Sequence, residues 1–414
     1  MRRTLLAIAV AMAAAVAATS SAAASTGPMY VGSDTALTAD HYGNIVITAD
    51  NVTLDCGGHR VLATAPGTGT GILIEAHSGV TVRNCFVSGF DTGFFLIGAS
   101  RNTVTANRAT GNRTGFFVVS SDHDANGNLL EGNVASGNSD SGFNMSGWGT
   151  NPVSGNTYAG NVANDNTWFG FGAWRATGNA WTSNTANGNG HWGFALFELT
   201  TSNTLQSNAA SGSSESGFLL VAGSINTLAS NRATGNPGSG FVLNGANGNT
   251  VIDNAGDHNA HVGFWLVGGS NSNLVRGNTA NGEGWTGFDI ADGSSYNVLD
   301  SNTANGSQTG FFVEGFSGVA PAWNTLVGDK ATNNIYNGFA VSDGATHTTL
   351  LRDIANNNKL LNGFALYNSS THTTVSGCVA RANGQFDALD AADPSANNIW
   401  ARNNFGTASP VGLG

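Results

Sequence analysis

The strongest constraint on this chain is a repeat. A Gly-Phe pair recurs from Gly93-Phe94 to Gly363-Phe364 in steps of 22 to 28 residues, with Gly71-Ile72 as an earlier copy. Such steps are too short for a four-stranded propeller blade and match one coil of a solenoid. Asn226 to Asn236, followed by Gly240-Phe241-Val242-Leu243, shows one unit in full.

Within the unit, columns separate by what they tolerate. The residue after the glycine is nearly always Phe, and two positions on stands an apolar residue such as Leu196, Leu220, Leu243 or Ile290. The intervening and following positions vary freely, as in Phe95, Asn144, Gly172, Trp265 and Asp289, so this strand alternates between an inner and an outer face. A second strand runs through an Asn-Thr-aliphatic phrase that starts at Asn51, recurs from Asn102 to Asn398, and has weaker copies at Gly79, Thr348 and Thr373. Five residues later comes another Asn, from Asn84 and Asn107 to Asn403, with Cys56, Asp329, Asp353 and Cys378 as exceptions. A third short strand carries a small inner residue, from Ala109 to Ala380. Asn suits the bends because it tolerates left-handed backbone and bonds its own main chain. Stacked once per coil, its amides also bond one another along the rod. The chain therefore reads as all-β, a parallel β-helix solenoid of about 15 coils of roughly 22–28 residues, with three short strands per coil. The coils are expected over residues 51–404, between an N-terminal cap at 25–50 and a tail at 405–414.

Residues 1–24 read as a secretory signal peptide: a basic Met1-Arg2-Arg3, an apolar run from Leu5 to Ala18, and a small-residue cleavage site at Ala22-Ala23-Ala24. The apolar run is too short to span a membrane, so a secreted, extracellular protein without a membrane span is expected. Only 10% of residues are charged and the net charge is -11, which excludes nucleic acid and anionic membrane as partners and disfavours a strongly polyanionic glycan. Cys56 and Cys85 fall at equivalent edges of neighbouring early coils. They either form a disulfide in an oxidising compartment or, with Cys378, are buried thiols.

The segment Ile47-Thr48-Ala49-Asp50-Asn51-Val52-Thr53-Leu54-Asp55-Cys56-Gly57-Gly58, with the repeat behind it, resembles the right-handed parallel β-helix repeat family. That pectin lyase-like superfamily holds pectin-degrading enzymes, alginate epimerases and lyases, phage tailspikes and NosD-like accessory proteins of copper-site maturation. The resemblance covers nearly all of the chain after the leader and implies a right-handed coil. The sequence lacks Asp-Pro-His, Gly-His-Gly, paired Asp-Asp and Arg-x-Pro-x-x-Arg, so the resemblance implies the scaffold and not a particular activity.

A functional patch on such a scaffold should appear as chemistry stacked in one column. The column two residues before the Gly-Phe glycine includes Asp91, Arg113, Asp140, Trp168, His191, Glu215, His261 and Trp285, in a chain poor in charge. Outer positions after the glycine add Trp174, Arg175, Phe197, Glu198, Trp265, Asp289, Asp292 and Glu314. Aromatic faces beside carboxylates suit sugar rings, and longer loops at 121–128, 147–155 and 315–323 would wall a groove. The residues group into a central cluster (Trp168, Trp174, Arg175, His191, Trp192, Glu198, Glu215) and a second one (His261, Trp265, Trp285, Asp289, Asp292, Glu314). The expected function is non-catalytic binding of a polysaccharide or cell-surface glycan along this groove, with Trp168, Trp174, Trp192, Trp265, Trp285, Asp289, Asp292 and Glu314 touching the ligand. The competing readings are a purely structural rod and a polysaccharide lyase, epimerase or glycoside hydrolase. In the enzyme reading His191, Glu198 or Glu215 is the acid or base and Arg175 steadies an acidic sugar. Asp122, His123 and Asp124, and Asp257, His258 and His261, have ligand types for a divalent ion such as calcium but no spacing that fixes a site, so no cofactor is expected.

Overall fold

The structure, a computed structural model, describes residues 23–148, 151–316 and 318–413. Most of the expected leader lies outside these residues. Every strand pairing is parallel and joins one coil to the next, with partners 16 to 28 residues apart in the first coils, as in Ser25 with His41 and Thr53 with Thr81. Three long sheets result, beside a two-stranded pairing of Val153–Ser154 with Ala176–Thr177. The strands that carry the Gly-Phe pair form the Phe sheet, from Met29–Val31 to Ala408–Ser409. The strands of the Asn-Thr phrase form a 16-stranded Thr sheet from Thr35–Ala36 to Ile399–Ala401. The small-residue strands form the Ala sheet in blocks of 6 and 10, linked by single bridges from Val134 through Val162 to Thr185. Among the described residues parallel pairing runs from Ser25 to Ser409, so paired strands also lie on either side of the expected 51–404. At about 4.8 Å per strand the rod is roughly 75 Å long.

Two stacked columns hold the interior. The phenylalanines form an unbroken pile from Phe94 to Phe364, with centroids 4.4–4.9 Å apart and planes within 1–9°. Facing it, buried asparagines form ladders. The Asn231 main-chain N–H and Nδ2 both donate to Asn254 Oδ1, at 2.8 and 3.0 Å, and Nδ2 also donates to the Leu205 carbonyl at 2.8 Å. Buried amides thus have partners above and below, which is the condition for a polar column inside an apolar core.

The bends depart from expectation in one respect. The left-handed residue is the one before the ladder Asn, for example Ser207, Ser230 and Asp253, because the Asn itself must point inward to reach its neighbours. The first coils are also shifted. Val80 and Cys85, not Gly79 and Asn84, donate their N–H groups to Asn102 and Asn107, and Val52 stands in line with Val80. Asn51, Gly79 and Asn84 occupy the left-handed turns instead. Cys56 and Cys85 are bonded, and Cys378 is a free, buried thiol.

A further ladder, unrecognised in the sequence, follows the Ala strands: Asn112, Asn138, Asn166 and Asn189, then Ser213, Asn236, Asn259, Glu283, Ser307, Asn334, Asn358 and Asn383. Asp387 caps it, accepting from Asn383 at 2.7 Å and from the main chain of Gly406 and Thr407.

The Gly of each Gly-Phe pair sits where the Phe and Ala sheets pinch together. A Cβ on Gly217 would lie 2.7 Å from Ala233 Cβ and 2.9 Å from the Gly240 carbonyl. Gly217→Ala is therefore expected to destabilise the rod by about 1–3 kcal/mol, and Ala233→Gly in the same chain to restore part of the loss. Urea denaturation of the single and double variants reads this directly; an unchanged midpoint for Gly217→Ala refutes the packing account.

Candidate functional site

The outer face of the Phe sheet collects the chain's aromatic and titratable residues. Successive coils carry a second apolar layer there, Phe169, Ala195, Leu219, Val242, Val267 and Ala291, with Trp174, Trp192, Phe197 and Trp265 packed on it. Variable outer positions are therefore not simply solvated, because neighbouring coils cover one another's side chains.

Within the central cluster most aromatic faces are used between coils. Trp174 stacks on Phe197 at 4.7 Å and 13°, and Trp192 on Phe169 at 5.5 Å and 19°. Trp168 is the most open ring, 47% exposed, and meets His191 edge-on at 5.7 Å. His191 Nδ1 is 2.6 Å from Glu215 Oε1.

The expected catalytic set does not converge. His191 and Glu215 precede the strands Trp192–Phe197 and Ser216–Val221, whereas Arg175 and Glu198 follow Phe169–Trp174 and Trp192–Phe197. At that far edge the Arg175 main-chain N–H donates to the Glu198 carbonyl at 3.1 Å. One 6-residue strand separates the two pairs by about 20 Å, and the surface between them is apolar.

The second cluster converges except for Asp292, which sits in a left-handed turn after the strand Thr286–Ala291 and does not line the cavity. His261, Trp265, Trp285, Asp289, Ala291, Glu314 and Phe316 line a cavity of about 140 Å³. Asp289 lies in register between Trp265 and Phe312, and Glu314 pairs with Ala291 on the next strand. The two carboxyl-bearing residues are thus diagonal neighbours, with Cα atoms roughly 8 Å apart by sheet geometry. The His261 ring stands edge-on to both indoles, 5.5 Å and 71° from Trp265 and 4.8 Å and 86° from Trp285.

Asp289 and Glu314, expected on an open face, are 5% and 8% exposed. They form the floor of the cavity, because rings from the column before the glycine and Phe316 from the following loop rise around them. Burial, then the charges of Glu314 and Asp292, push the Asp289 carboxyl well above its ordinary range. Burial, then Asp343 and Asp292, push Glu314 up to about 7. Burial lowers His261, which favours its neutral imidazole. Asp289 Oδ1 and Trp265 Nε1 are buried without a hydrogen-bond partner in the protein. Phe316 and Asp343 escaped sequence reasoning; the long insertion at 315–323 was the only signal for the first, and no sequence signal singled out the second.

The Asp122 and Asp257 groups do not assemble into a metal site. Among the described residues no group of three or more His, Cys, Asp or Glu side chains is placed to hold a metal ion. Among the described residues no helix is long and apolar enough to cross a membrane.

The sequence matches the family model described as periplasmic copper-binding protein (NosD) over residues 36–168 and 155–284, and a right-handed β-helix region over 257–355. The A-module of the mannuronan C-5 epimerase AlgE6 from Azotobacter vinelandii is similar in structure, with TM-score 0.51 and 16% identity over 82% of this chain and 91% of its own. The periplasmic alginate epimerase AlgG gives 0.42 and 12% over 91% and 76%. At these identities the likeness is one of fold. No curated protein matches the sequence. Among the described residues the thiol ligands that would suit copper are not free at the surface: Cys56 and Cys85 are bonded to each other, and Cys378 is buried in the core. With the NosD model matched across both halves of residues 36–284 and the coils continuing on either side, the chain belongs to the NosD family of right-handed β-helix repeat proteins.

Proposed function

We propose that the protein is an exported polysaccharide-binding rod that lays a glycan along the outer face of the Phe sheet and anchors one unit of it in the His261–Trp285–Asp289 pocket. The observation that carries this reading is the buried, unpartnered Asp289 Oδ1 at the floor of an aromatic-walled cavity. A buried polar group left without a partner costs about 1–3 kcal/mol, and a ligand hydroxyl or amine removes that cost. The cavity, about 140 Å³, is smaller than a pocket that swallows a whole ligand, so it suits one ring of a long chain. Export is supported by the basic and apolar leader, by the Cys56–Cys85 bond and by the periplasmic description of the matching family.

A panel of plant, algal and bacterial-wall polysaccharides, scored for retention and for new reducing or unsaturated ends, tests the reading. Retention without product is expected, and Trp265→Ala with Trp285→Ala is expected to weaken it about tenfold or more. Absence of retention on every polysaccharide refutes the reading.

A second reading, catalysis, is favoured by the raised carboxyls: Glu314 at about 7 and Asp289 well above its ordinary range are shifted toward the protonated form a general acid needs. New chain ends that vanish in Glu314→Gln, with retention kept, would replace the binding reading by this one.

A further inference from the structure

We propose that the His261–Trp265–Trp285–Asp289–Glu314–Phe316 pocket takes a protonated primary amine, so that the glycan this rod binds is one bearing free amino groups. The inference rests on the glycan-binding reading above and names its substrate class. Two independent features of the pocket point the same way. The first is its wall: two indoles, a phenyl ring and an imidazole line the cavity. Aromatic faces attract an ammonium group through the ring quadrupole, most strongly where water is excluded. The His261 ring belongs to this wall, and burial disfavours a competing positive charge on it.

The second is its floor. Asp289 is 5% exposed and its Oδ1 has no donor. The charged groups acting on it are Glu314 and Asp292, and those acting on Glu314 are Asp343 and Asp292, so all are acidic. Burial first, and then repulsion among these carboxylates, raises both groups, so a cation seated beside them favours their ionised forms. A neutral sugar supplies hydroxyl donors and leaves that repulsion in place. An acidic sugar adds to it. An alkylammonium supplies hydrogen-bond donors and the missing charge together, and its seating releases protons from Glu314 and Asp289.

The test compares glucosamine, N-acetylglucosamine and glucose oligomers of equal length at pH 6.5, with tetramethylammonium as a probe whose charge does not titrate. The glucosamine oligomer is expected to bind about tenfold or more tightly than the N-acetylated one. In Asp289→Asn/Glu314→Gln the two should become equal, with the circular dichroism spectrum unchanged. Tetramethylammonium should compete with the glucosamine oligomer, and its own affinity should rise from pH 5 to pH 8 as the carboxyls facing it ionise. Equal affinity for all oligomers in the unaltered protein overturns the amine inference and leaves the glycan reading standing. Binding of tetramethylammonium but of no oligomer supports the cation pocket and overturns the glycan reading. A flat pH profile for tetramethylammonium, or no binding of any probe, overturns the inference without recourse to a variant.

Discussion

Asp329→Asn and Asp353→Asn should each raise the melting temperature at pH 8 and flatten its dependence on pH. Both aspartates stand in an asparagine ladder. Asn302 donates its main-chain N–H and Nδ2 to Asp329 Oδ1 at 2.7 and 2.9 Å, and the Asp329 N–H donates to Asp353 Oδ1 at 2.8 Å. What an Asn supplies beyond this is its own NH₂, which at Asn278 and Asn302 reaches both the next rung and a carbonyl of the coil before. An ionised carboxylate has no such donor, and both Oδ2 atoms are buried without partners. A protonated carboxyl does have one, so each aspartate mimics Asn only while it keeps its proton. Burial accordingly pushes Asp329 up to about 7, and burial with the Asp329 charge pushes Asp353 well above its ordinary range. The folded state therefore binds protons that the unfolded chain releases above about pH 4. Stability is full below that pH and falls as pH rises toward the folded values, at about 1.4 kcal/mol per pH unit for each group. At pH 8 the penalty for Asp329 is on the order of 2–4 kcal/mol, and an Asn removes it. Because the two sites repel, the first substitution should capture more than half of the combined gain. Thermal melts at pH 4 and pH 8 decide: the variants should differ little from the parent at pH 4 and exceed it at pH 8, and equal melting at both refutes the ladder account.

The same ladder shows what a sequence discloses about a rod of this kind. Each coil repeats the slots of the last, so the Phe pile and the Asn-Thr phrase were legible as columns of one residue type. The further ladder was not, because its slot replaces Asn by Ser213, whose Oγ has no partner, and by Glu283 and Ser307, whose side chains accept from the main-chain N–H groups of Asn259 and Glu283. The opening coils misled by one residue because asparagines occupy their turns and Val52, Val80 and Cys85 their interior. The candidate site was half legible. Column reading put His261, Trp265, Trp285, Asp289 and Glu314 into one group, and these five line one cavity. It could not tell that His191 and Glu198 lie at opposite ends of one strand, since a column fixes position across coils and not distance along them. Nor could alternation report the depth of Asp289, which neighbouring coils and a loop cover from outside.

Phe288→Ala should cost about 3–5 kcal/mol and, unlike the same change elsewhere in the pile, should also abolish binding in the pocket. Phe288 lies between Phe264 and Phe311, with centroids 4.9 and 4.8 Å away. Removing the ring empties a slot that neighbouring coils, tied by their own strand pairing, cannot fill by collapse. Phe194 has the same surroundings, Phe171 at 4.7 Å and Phe218 at 4.8 Å, so Phe194→Ala should destabilise to a similar extent. The two differ in what stands on the opposite face of the strand. The residue after Phe288 is Asp289, and the next ring in the pile, Phe264, precedes Trp265; the inner rings fix the strands that set floor and wall. Phe194 lies about 20 Å away along the rod, beneath Ala195 and outside the pocket. In a solenoid each coil contacts only its neighbours, so a broken slot disturbs the adjacent coils and leaves distant ones intact. Hydrogen exchange should therefore locate the loss of protection around 264–314 for Phe288→Ala and around 171–221 for Phe194→Ala. Retention on the bound polysaccharide should disappear only in the first. Equal retention by both variants would mean that the pocket does not carry the binding, whatever their stabilities.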